Sequence, residues 1–395
     1  MSLYMTEKVI LAFSGGLDTS IAIKWIEEKY DLSVVTVTVD VGQNDDYESL
    51  EKRAYEIGSH KHYNVDAKNE FVNIYVNQAI KSNAMYQGKY PLATALARPL
   101  IASKLVEIAK KENSKLISHG CTGKGNDQAR FDISIKSLYP EAKIIAPVRE
   151  WNLSRTQEIE YAKKHKISTE STSEYSIDLN LWGRSIEGGK LEDLTFEAPE
   201  SILSWIKLSN KETTSKYMEI EFQNGIPVKV DLETDSIKIL DYINNIAGSY
   251  GVGLVDHIED RLVGLKSREI YEAPAAITLI ESHKDLEKLV LTRNELEIKS
   301  FLEQKWAWLV YNGLFYDPSL ESINKFVDST QKRVNGKIKV KFYNGNFRVV
   351  ERSSDNSIYD KNIVSFDTDA FDQRQAEGFI SIWGMQSKIN EGDSQ

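Results

Sequence analysis

Two short stretches of this chain concentrate the groups that bind and activate anions. The first, Ser14-Gly15-Gly16-Leu17-Asp18-Thr19-Ser20, directly follows the apolar run Val9-Ile10-Leu11-Ala12-Phe13. That order predicts a buried strand, a glycine turn and a helix start. Adjacent glycines let the backbone turn sharply and approach a ligand closely. The first N–H groups of the next helix point out of such a turn, and the helix dipole favours negative charge there. Ser14, Thr19 and Ser20 add hydroxyl donors, so a polyphosphate is the expected occupant. The loop lacks the lysine of a Gly-x-x-x-x-Gly-Lys-Ser/Thr phosphate loop. It also lacks the third glycine of the dinucleotide fingerprint. The second stretch is His119-Gly120-Cys121-Thr122-Gly123-Lys124-Gly125-Asn126-Asp127-Gln128-Ala129-Arg130. Its glycines allow close backbone approach, and its hydroxyl, amide, carboxylate and cationic groups suit a zwitterionic amino acid. A substrate carboxylate would pair with Lys124 or Arg130, and an ammonium with Asp127.

These stretches need elements to hold them. Up to about residue 170 the pattern alternates strand and helix. Strands are expected at Val9–Phe13, Ser33–Val39, Leu116–Ser118 and Ile144–Ala146. Helices are expected at Asp18–Lys29, Thr94–Lys111 and from a Ser154/Gln157 capping box to about His165. Pro99 fits only near the beginning of its helix. Alternating units of this kind imply a parallel sheet with helices on both faces, and ligands then sit at the carboxyl ends of the strands. Both stretches fall there.

Beyond Ser168 the texture changes. Ser168 to Ser173 is polar and turn-like, a reasonable boundary. Asn224-Gly225 and Asn344-Gly345 each separate two β-prone runs, which predicts two hairpins. Leu286 to Ala307 reads as one long helix, with Leu289, Thr292, Leu296 and Lys299 in register. Phe379, Ile382, Trp383 and Ile389 form an apolar stripe at helical spacing, which needs a surface on its own domain or on a neighbouring subunit. The domain reading is therefore 1–170, a nucleotide-binding α/β domain; 171–370, an α+β domain with an antiparallel sheet; and 371–395, a terminal helix and tail.

The whole chain narrows the class. At 395 residues it exceeds what one hydrophobic core usually supports. A formal charge of −10 argues against nucleic acid as a partner, because phosphate backbones need a basic face. The single cysteine, Cys121, excludes an internal disulfide and fits a reducing cytoplasm. No apolar run approaches the roughly 20 residues of a membrane span, and no apolar leader is evident at the amino terminus. His60 and His62 read as a solvated pair rather than metal ligands. His257 reads as structural, and Trp306 and Trp308 as core or interface aromatics.

The glycine loop resembles the pyrophosphate loop of N-type ATP pyrophosphatases, which cleave ATP between its α and β phosphates. Taken with Lys-Tyr-Pro-Leu-Ala-Thr-Ala-Leu-Ala-Arg-Pro (residues 89–99), the second stretch, Tyr175-Ser176-Ile177-Asp178 with Ser185, Glu259-Asp260-Arg261, Lys266-Ser267-Arg268 and Ile270-Tyr271-Glu272-Ala273-Pro274-Ala275, it resembles the argininosuccinate synthase family. The resemblance covers about Val9 to Ala276. It implies an adenine nucleotide α-hydrolase-like domain joined to a synthetase and multimerisation domain, in a cytoplasmic homotetramer that swaps terminal helices. It implies ATP and Mg²⁺, with ATP held by Ala12, Phe13, Ser14, Gly15, Gly16, Leu17, Asp18, Thr19, Ser20, Val39 and Gly120. Tyr90 and Thr94 would line the amino-acid sites. Thr122, Asn126 and Asp127 would bind aspartate. Asn126, Arg130, Ser176, Ser185, Glu259 and Tyr271 would bind citrulline. Asp18, Asp127 and Arg130 would carry the chemistry, in which adenylated citrulline is attacked by the aspartate amine. The magnesium ligands are not assigned. The chain departs from the family pattern at Ala95, where a serine that contacts citrulline is usual, and at Cys121, where alanine is common. Two other readings stand beside this one. A tRNA-thiolating relative would need paired cysteines and a basic surface. A non-catalytic nucleotide sensor draws its support from Ala95.

Overall fold

The computed structural model describes residues 7–151, 153–168, 174–208, 214–365 and 372–392. Strands β1 (Lys8–Ala12), β2 (Ser33–Asp40), β3 (Lys61–Asp66), β4 (Leu116–Ser118) and β5 (Lys143–Ile145) form a wholly parallel sheet in the order β3-β2-β1-β4-β5. The run Val9-Ile10-Leu11 is apolar throughout because both faces of β1 are buried, as a covered parallel strand requires. Alternate side chains serve opposite faces. Val9 and Leu11 pack with Ile21, Ile23 and Ile26 of the helix Leu17–Tyr30. Ile10 packs with Leu100 and Leu105 of the helix Ala93–Lys111 on the other side. The chain winds from β1 outward through β2 and β3, then crosses to β4 on the far side of β1. The strand order therefore reverses between β1 and β4, where a ligand crevice opens in such sheets. The capping box is present: Ser154 Oγ accepts from the Gln157 backbone while the Gln157 side chain accepts from the Ser154 N–H, and the helix Arg155–Lys164 follows.

The remaining strands are β6 (Ser176–Asn180), β7 (Gly183–Glu187), β8 (Lys216–Gln223), β9 (Ile226–Val230), β10 (Leu254–Asp260), β11 (Lys266–Glu272), β12 (Gly336–Tyr343) and β13 (Asn346–Ser353). They make two antiparallel sheets, ordered β10-β11-β7-β6 and β13-β12-β8-β9. Both Asn-Gly pairs turn their hairpins with positive φ at each residue, 49° and 73° at Asn224-Gly225 and 49° and 77° at Asn344-Gly345. This is the turn whose twist matches its strands. The change from parallel to antiparallel architecture falls across residues 169–173, which with Ser168 form the expected boundary and lie outside the described residues. By packing, Met1–Asn356 is one compact unit and Ser357–Gln395 another.

The long helix expected over Leu286–Ala307 is instead two helices, Pro274–Val290 and Arg293–Tyr311. Thr292 fits the apolar register, but its side chain accepts from the Glu295 backbone while Glu295 reaches back to the Thr292 N–H. This reciprocal cap starts a new helix. A buried polar network pins the pair. Lys299, 1% exposed, reaches Glu287 at 3.0 Å and also pairs with Glu303, while Asn83 donates to Glu287 at 2.6 Å. A buried charge has to be matched in this way. The second helix is thereby held so that its last residue, Tyr311, arrives beneath the cavity described below.

In the smaller unit the expected single terminal helix is two, Gln375–Trp383 and Met385–Gly392, divided at Gly384. Phe379, Ile382, Trp383 and Ile389 are all exposed. Among the described residues, no helix is long and apolar enough to cross a membrane.

Replacing Thr292 by Ala removes the cap and should lower stability by about 1 kcal/mol. The measurement is the urea midpoint followed by circular dichroism. An unchanged midpoint would show that the helix break does not depend on this cap.

Candidate active site

At the reversal between β1 and β4, a cavity of about 760 Å³ opens between the carboxyl ends of the parallel strands and one face of the β10-β11-β7-β6 sheet. The first wall is the loop after β1. Gly16 caps the helix Leu17–Tyr30 without any side-chain hydrogen bond, which leaves the opening N–H groups available to an anion. Gly15 has φ +72°, and a Cβ there would stand 2.3 Å from Leu50. Gly120, after β4, packs against Thr19 so closely that a Cβ would lie 2.8 Å from its methyl. Ser14 Oγ accepts from the Gly16 N–H at 3.4 Å and meets Thr19 Oγ1 at 3.3 Å, so the loop is braced by its own hydroxyls.

Ala12, Phe13, Ser14, Gly16, Thr19, Val39 and Gly120 line the cavity. Gly15, Leu17, Asp18 and Ser20 do not line it. Successive helical side chains diverge by about 100°, which separates Asp18 from Thr19. Asp18 accepts from Arg155 at 3.1 Å. Burial raises its pKa, and Arg155 offsets this in part. The Ser20 hydroxyl donates back to the Gly15 carbonyl at 3.4 Å.

The second wall centres on Asp127, the first residue of the helix Asp127–Leu138. Its Oδ2 accepts from Arg98 Nε at 2.8 Å and its Oδ1 from Arg130 Nη1 at 2.9 Å. Arg98 also pairs with Asp178 on β6. Burial alone would push the Asp127 carboxyl up, but Arg98 and Arg130 outweigh it and hold it below its ordinary value. Arg130 is 3% exposed and its Nη2 has no partner. A buried guanidinium N–H left unpaired is costly unless a ligand meets it.

The third wall follows from strand alternation. Tyr271 on β11 pairs with Ser185 on β7, which pairs with Asp178 on β6; Glu269 pairs with Glu187, which pairs with Ser176. These two rows lie on the same face, and all six residues line the cavity together with Glu259 and Arg261. Glu259, 2% exposed, accepts from the Tyr271 hydroxyl at 2.6 Å and from the Tyr311 hydroxyl. Tyr90 stacks on Tyr271 with centroids 4.1 Å apart, and its hydroxyl accepts from the Thr94 N–H at 2.9 Å. Arg261 donates to Glu187 and, at 3.0 Å, to Glu269. Burial and the charges of Glu187 and Glu259 push Glu269 up to about 8, with Arg261 opposing.

Tyr90, Thr94, Thr122, Asn126, Asp127, Arg130, Ser176, Ser185, Glu259 and Tyr271, all expected at the amino-acid sites, line this one cavity, whereas Lys124, offered as a partner for a substrate carboxylate, is exposed on the loop and does not line it. Ala95 is fully buried and does not line it. Sequence reasoning missed Arg98, Glu187, Glu269 and Tyr311. Three of the four carried a signal. Arg98 follows Thr94 by one helical turn, Glu187 follows Ser185 by two strand positions, and Glu269 precedes Tyr271 by two. Cys121 lines the cavity, and burial with the nearby Asp127 charge pushes its thiol well above its ordinary value, which disfavours the thiolate.

The remaining candidates separate. His60 is exposed, but His62 is buried, not solvated: its ring nitrogens meet Thr36 at 2.8 Å and Asn64 at 2.9 Å. The polar partners sit within reach of the strand, which is why the ring can turn inward. His257 lies half-buried on β10. Trp306 is core, whereas Trp308 is 43% exposed under the Lys305 ammonium.

Comparison with known proteins adds lineage to this geometry. Residues 8–168 match the family model described as Arginosuccinate synthase N-terminal HUP domain, and residues 175–390 match the Arginosuccinate synthase C-terminal domain. The chain is 54% identical over 387 residues to the argininosuccinate synthase of Pyrococcus furiosus, covering 97% of this chain and 94% of that one. It is 53% identical over 387 residues to that of Dictyoglomus turgidum, covering 97% of each. To that of Methanocaldococcus jannaschii it is 49% identical over 390 residues, covering 98% of each.

Glu269 binds its proton more tightly in the folded state than the ordinary value of 4.5 allows. Its contribution to stability is therefore present below about pH 4.5 and is lost progressively as pH rises toward 8. Glu269→Gln keeps the oxygen that accepts from Arg261 and Ser267 but cannot ionise. Its Tm relative to the parent should rise steadily between pH 5 and pH 9 in thermal scans. A constant offset would place the carboxylate in an environment no different from water.

Proposed function

We propose a reaction for this cavity from one premise: the chain belongs to the argininosuccinate synthase family. It is an ATP-dependent ligase that joins citrulline to aspartate, giving argininosuccinate, AMP and pyrophosphate, a step of arginine biosynthesis. In our reading, Ala12–Ser20, Val39 and Gly120 bind ATP, with the uncapped helix start at Gly16 receiving the phosphates. Asp18, one residue from that cradle, is assigned to the nucleotide end. Thr122, Asn126 and Asp127 bind aspartate. Asn126, Arg130, Ser176, Ser185, Glu259 and Tyr271 bind citrulline, with Tyr90 and Thr94 between them.

The ureido oxygen of citrulline attacks the α-phosphorus, and the bond to the β-phosphate oxygen breaks, releasing pyrophosphate. The aspartate amine then attacks the ureido carbon, and AMP leaves with the oxygen. The protein's part is positioning, which is worth up to about 7–11 kcal/mol in well-aligned reactions, together with fixed donors for the leaving phosphate. Among the described residues no three His, Cys, Asp or Glu side chains gather as a metal cage. Such a donor set fits Mg²⁺ carried by the phosphates rather than by a protein-built site, since this ion keeps waters and phosphate oxygens as ligands. The ion would neutralise phosphate charge. The observation that carries the amino-acid assignment is that Asp127, Arg130, Glu259 and Tyr271 line one cavity, with a carboxylate for the ammonium of one substrate and a guanidinium for the carboxylate of the other.

We further propose the division 1–170, 171–370 and 371–395, a cytoplasmic location and a homotetramer. The exposed Phe379, Ile382, Trp383 and Ile389 support a tail that docks on another subunit.

With Mg·ATP, citrulline and aspartate, the protein should release AMP and pyrophosphate in equal amounts. Release without citrulline, or ADP as the product, would sink the assignment. Asp127→Asn keeps the shape and removes the charge, so it should raise the aspartate KM at least tenfold or abolish turnover while ATP binding stays measurable by calorimetry. Unchanged aspartate kinetics would remove Asp127 from the site.

A further inference from the structure

We infer that Tyr311 is a positioning residue for the amino-acid end of the cavity, acting through Glu259, Asn126 and Arg130 without lining the cavity itself. The inference rests on the reading of those three residues as substrate-binding groups. Tyr311 is the last residue of the helix Arg293–Tyr311 and is fully buried. Its hydroxyl donates to Glu259 Oε1 and accepts from Asn126 Nδ2 at 2.9 Å. Its carbonyl accepts from Arg130 Nε at 3.0 Å. The Arg130 guanidinium lies over its ring, 4.8 Å from the centroid. Tyr86 stacks on the same ring at 3.5 Å, with the planes 6° apart, and Tyr90 meets it edge-on at 6.2 Å.

Counting donors and acceptors shows what this achieves. A carboxylate only accepts, so the single hydroxyl hydrogen of Tyr311 is committed to Glu259. Toward Asn126 the hydroxyl oxygen can then only accept. That fixes which end of the Asn126 amide faces Tyr311. The other end, Oδ1, accepts from the Leu262 N–H at 2.8 Å. Asn126 is left with one N–H free and cannot flip to present a carbonyl instead. Glu259 keeps one lone pair on each oxygen for a substrate cation, since Tyr271 takes only one on Oε2. The phenol, together with the Leu262 N–H, therefore fixes the orientation of the Asn126 amide and anchors one oxygen of Glu259. It also supports Arg130 from below.

Tyr311→Phe keeps the ring, its stack with Tyr86 and the face offered to Arg130, and removes only the two hydroxyl bonds. One of them is to a charged group, so a ten- to hundredfold rise in the citrulline KM is expected. The ATP KM should stay close to the parent, while the Tm falls because two buried hydrogen bonds are lost. A double-mutant cycle with Glu259→Gln should be clearly non-additive, because both changes alter the same bond: the amide has one acceptor oxygen for two phenol donors and no charge. An unchanged citrulline KM in Tyr311→Phe overturns the inference. So does an equal rise in both KM values, which is what a purely structural residue would give. Strict additivity in the cycle overturns it as well. If the parent protein itself shows no citrulline-dependent pyrophosphate release, the site reading fails, and that result is separate from any result on Tyr311.

Discussion

One guanidinium holds two walls of the cavity at a fixed spacing. Arg98 projects from the helix behind the parallel sheet, takes Asp127 from the start of the helix that follows β4, and takes Asp178 from β6 of the antiparallel sheet. Burial opposes its charge, and the two carboxylates more than compensate, so the cation is held beyond its ordinary range. A buried cation with two anions has little freedom, because separating any pair leaves an uncompensated charge in a dry place. Such a bridge adds little net stability compared with apolar packing. Its value is geometric. The width of the cavity is set by the length of one side chain rather than by loop packing.

The antiparallel wall solves a second constraint. Its cavity face carries Ser176, Asp178, Ser185, Glu187, Glu269 and Tyr271 on adjacent strands, with Glu259 close by. Several carboxylates on one face repel each other unless donors or protons intervene. Arg261 supplies donors to Glu187 and Glu269, two tyrosines supply them to Glu259, and Glu269 keeps its own proton toward neutral pH. The face thus holds its carboxylates together at modest cost, each tied to a donor of the protein's own.

The fold around the nucleotide wall was legible because its signals are local. A continuous apolar strand, a glycine pair and a capping box each declare themselves within a few residues. The same reasoning failed between Leu286 and Ala307 because helical periodicity runs on through Thr292, while the cap that breaks it depends on the Thr292–Glu295 pair. His62 was misplaced because alternation places a side chain on a face without saying which face is buried. At the site, the residues within motifs were legible, and Arg98 was quoted within one without being assigned a role. Tyr311 carried no signal at all. Its partners Asn126 and Glu259 lie 185 and 52 residues away in the chain, and its hydroxyl acquires meaning only when the helix pair docks.

That separation also bears on how the molecule is made. During synthesis the parallel sheet, complete by residue 145, emerges long before the helix ending at Tyr311. Domains generally fold as units as they leave the ribosome, at roughly 5–20 residues per second. Met1–Asn356 packs as one compact unit, and Ile10 of the first strand shares its core with Trp306 and Tyr311, so the sheet lacks part of its cover for the roughly ten to thirty seconds needed to translate the stretch up to Tyr311. The core of this unit therefore closes only when the segment ending at Tyr311 has been made, however early its first strands appear.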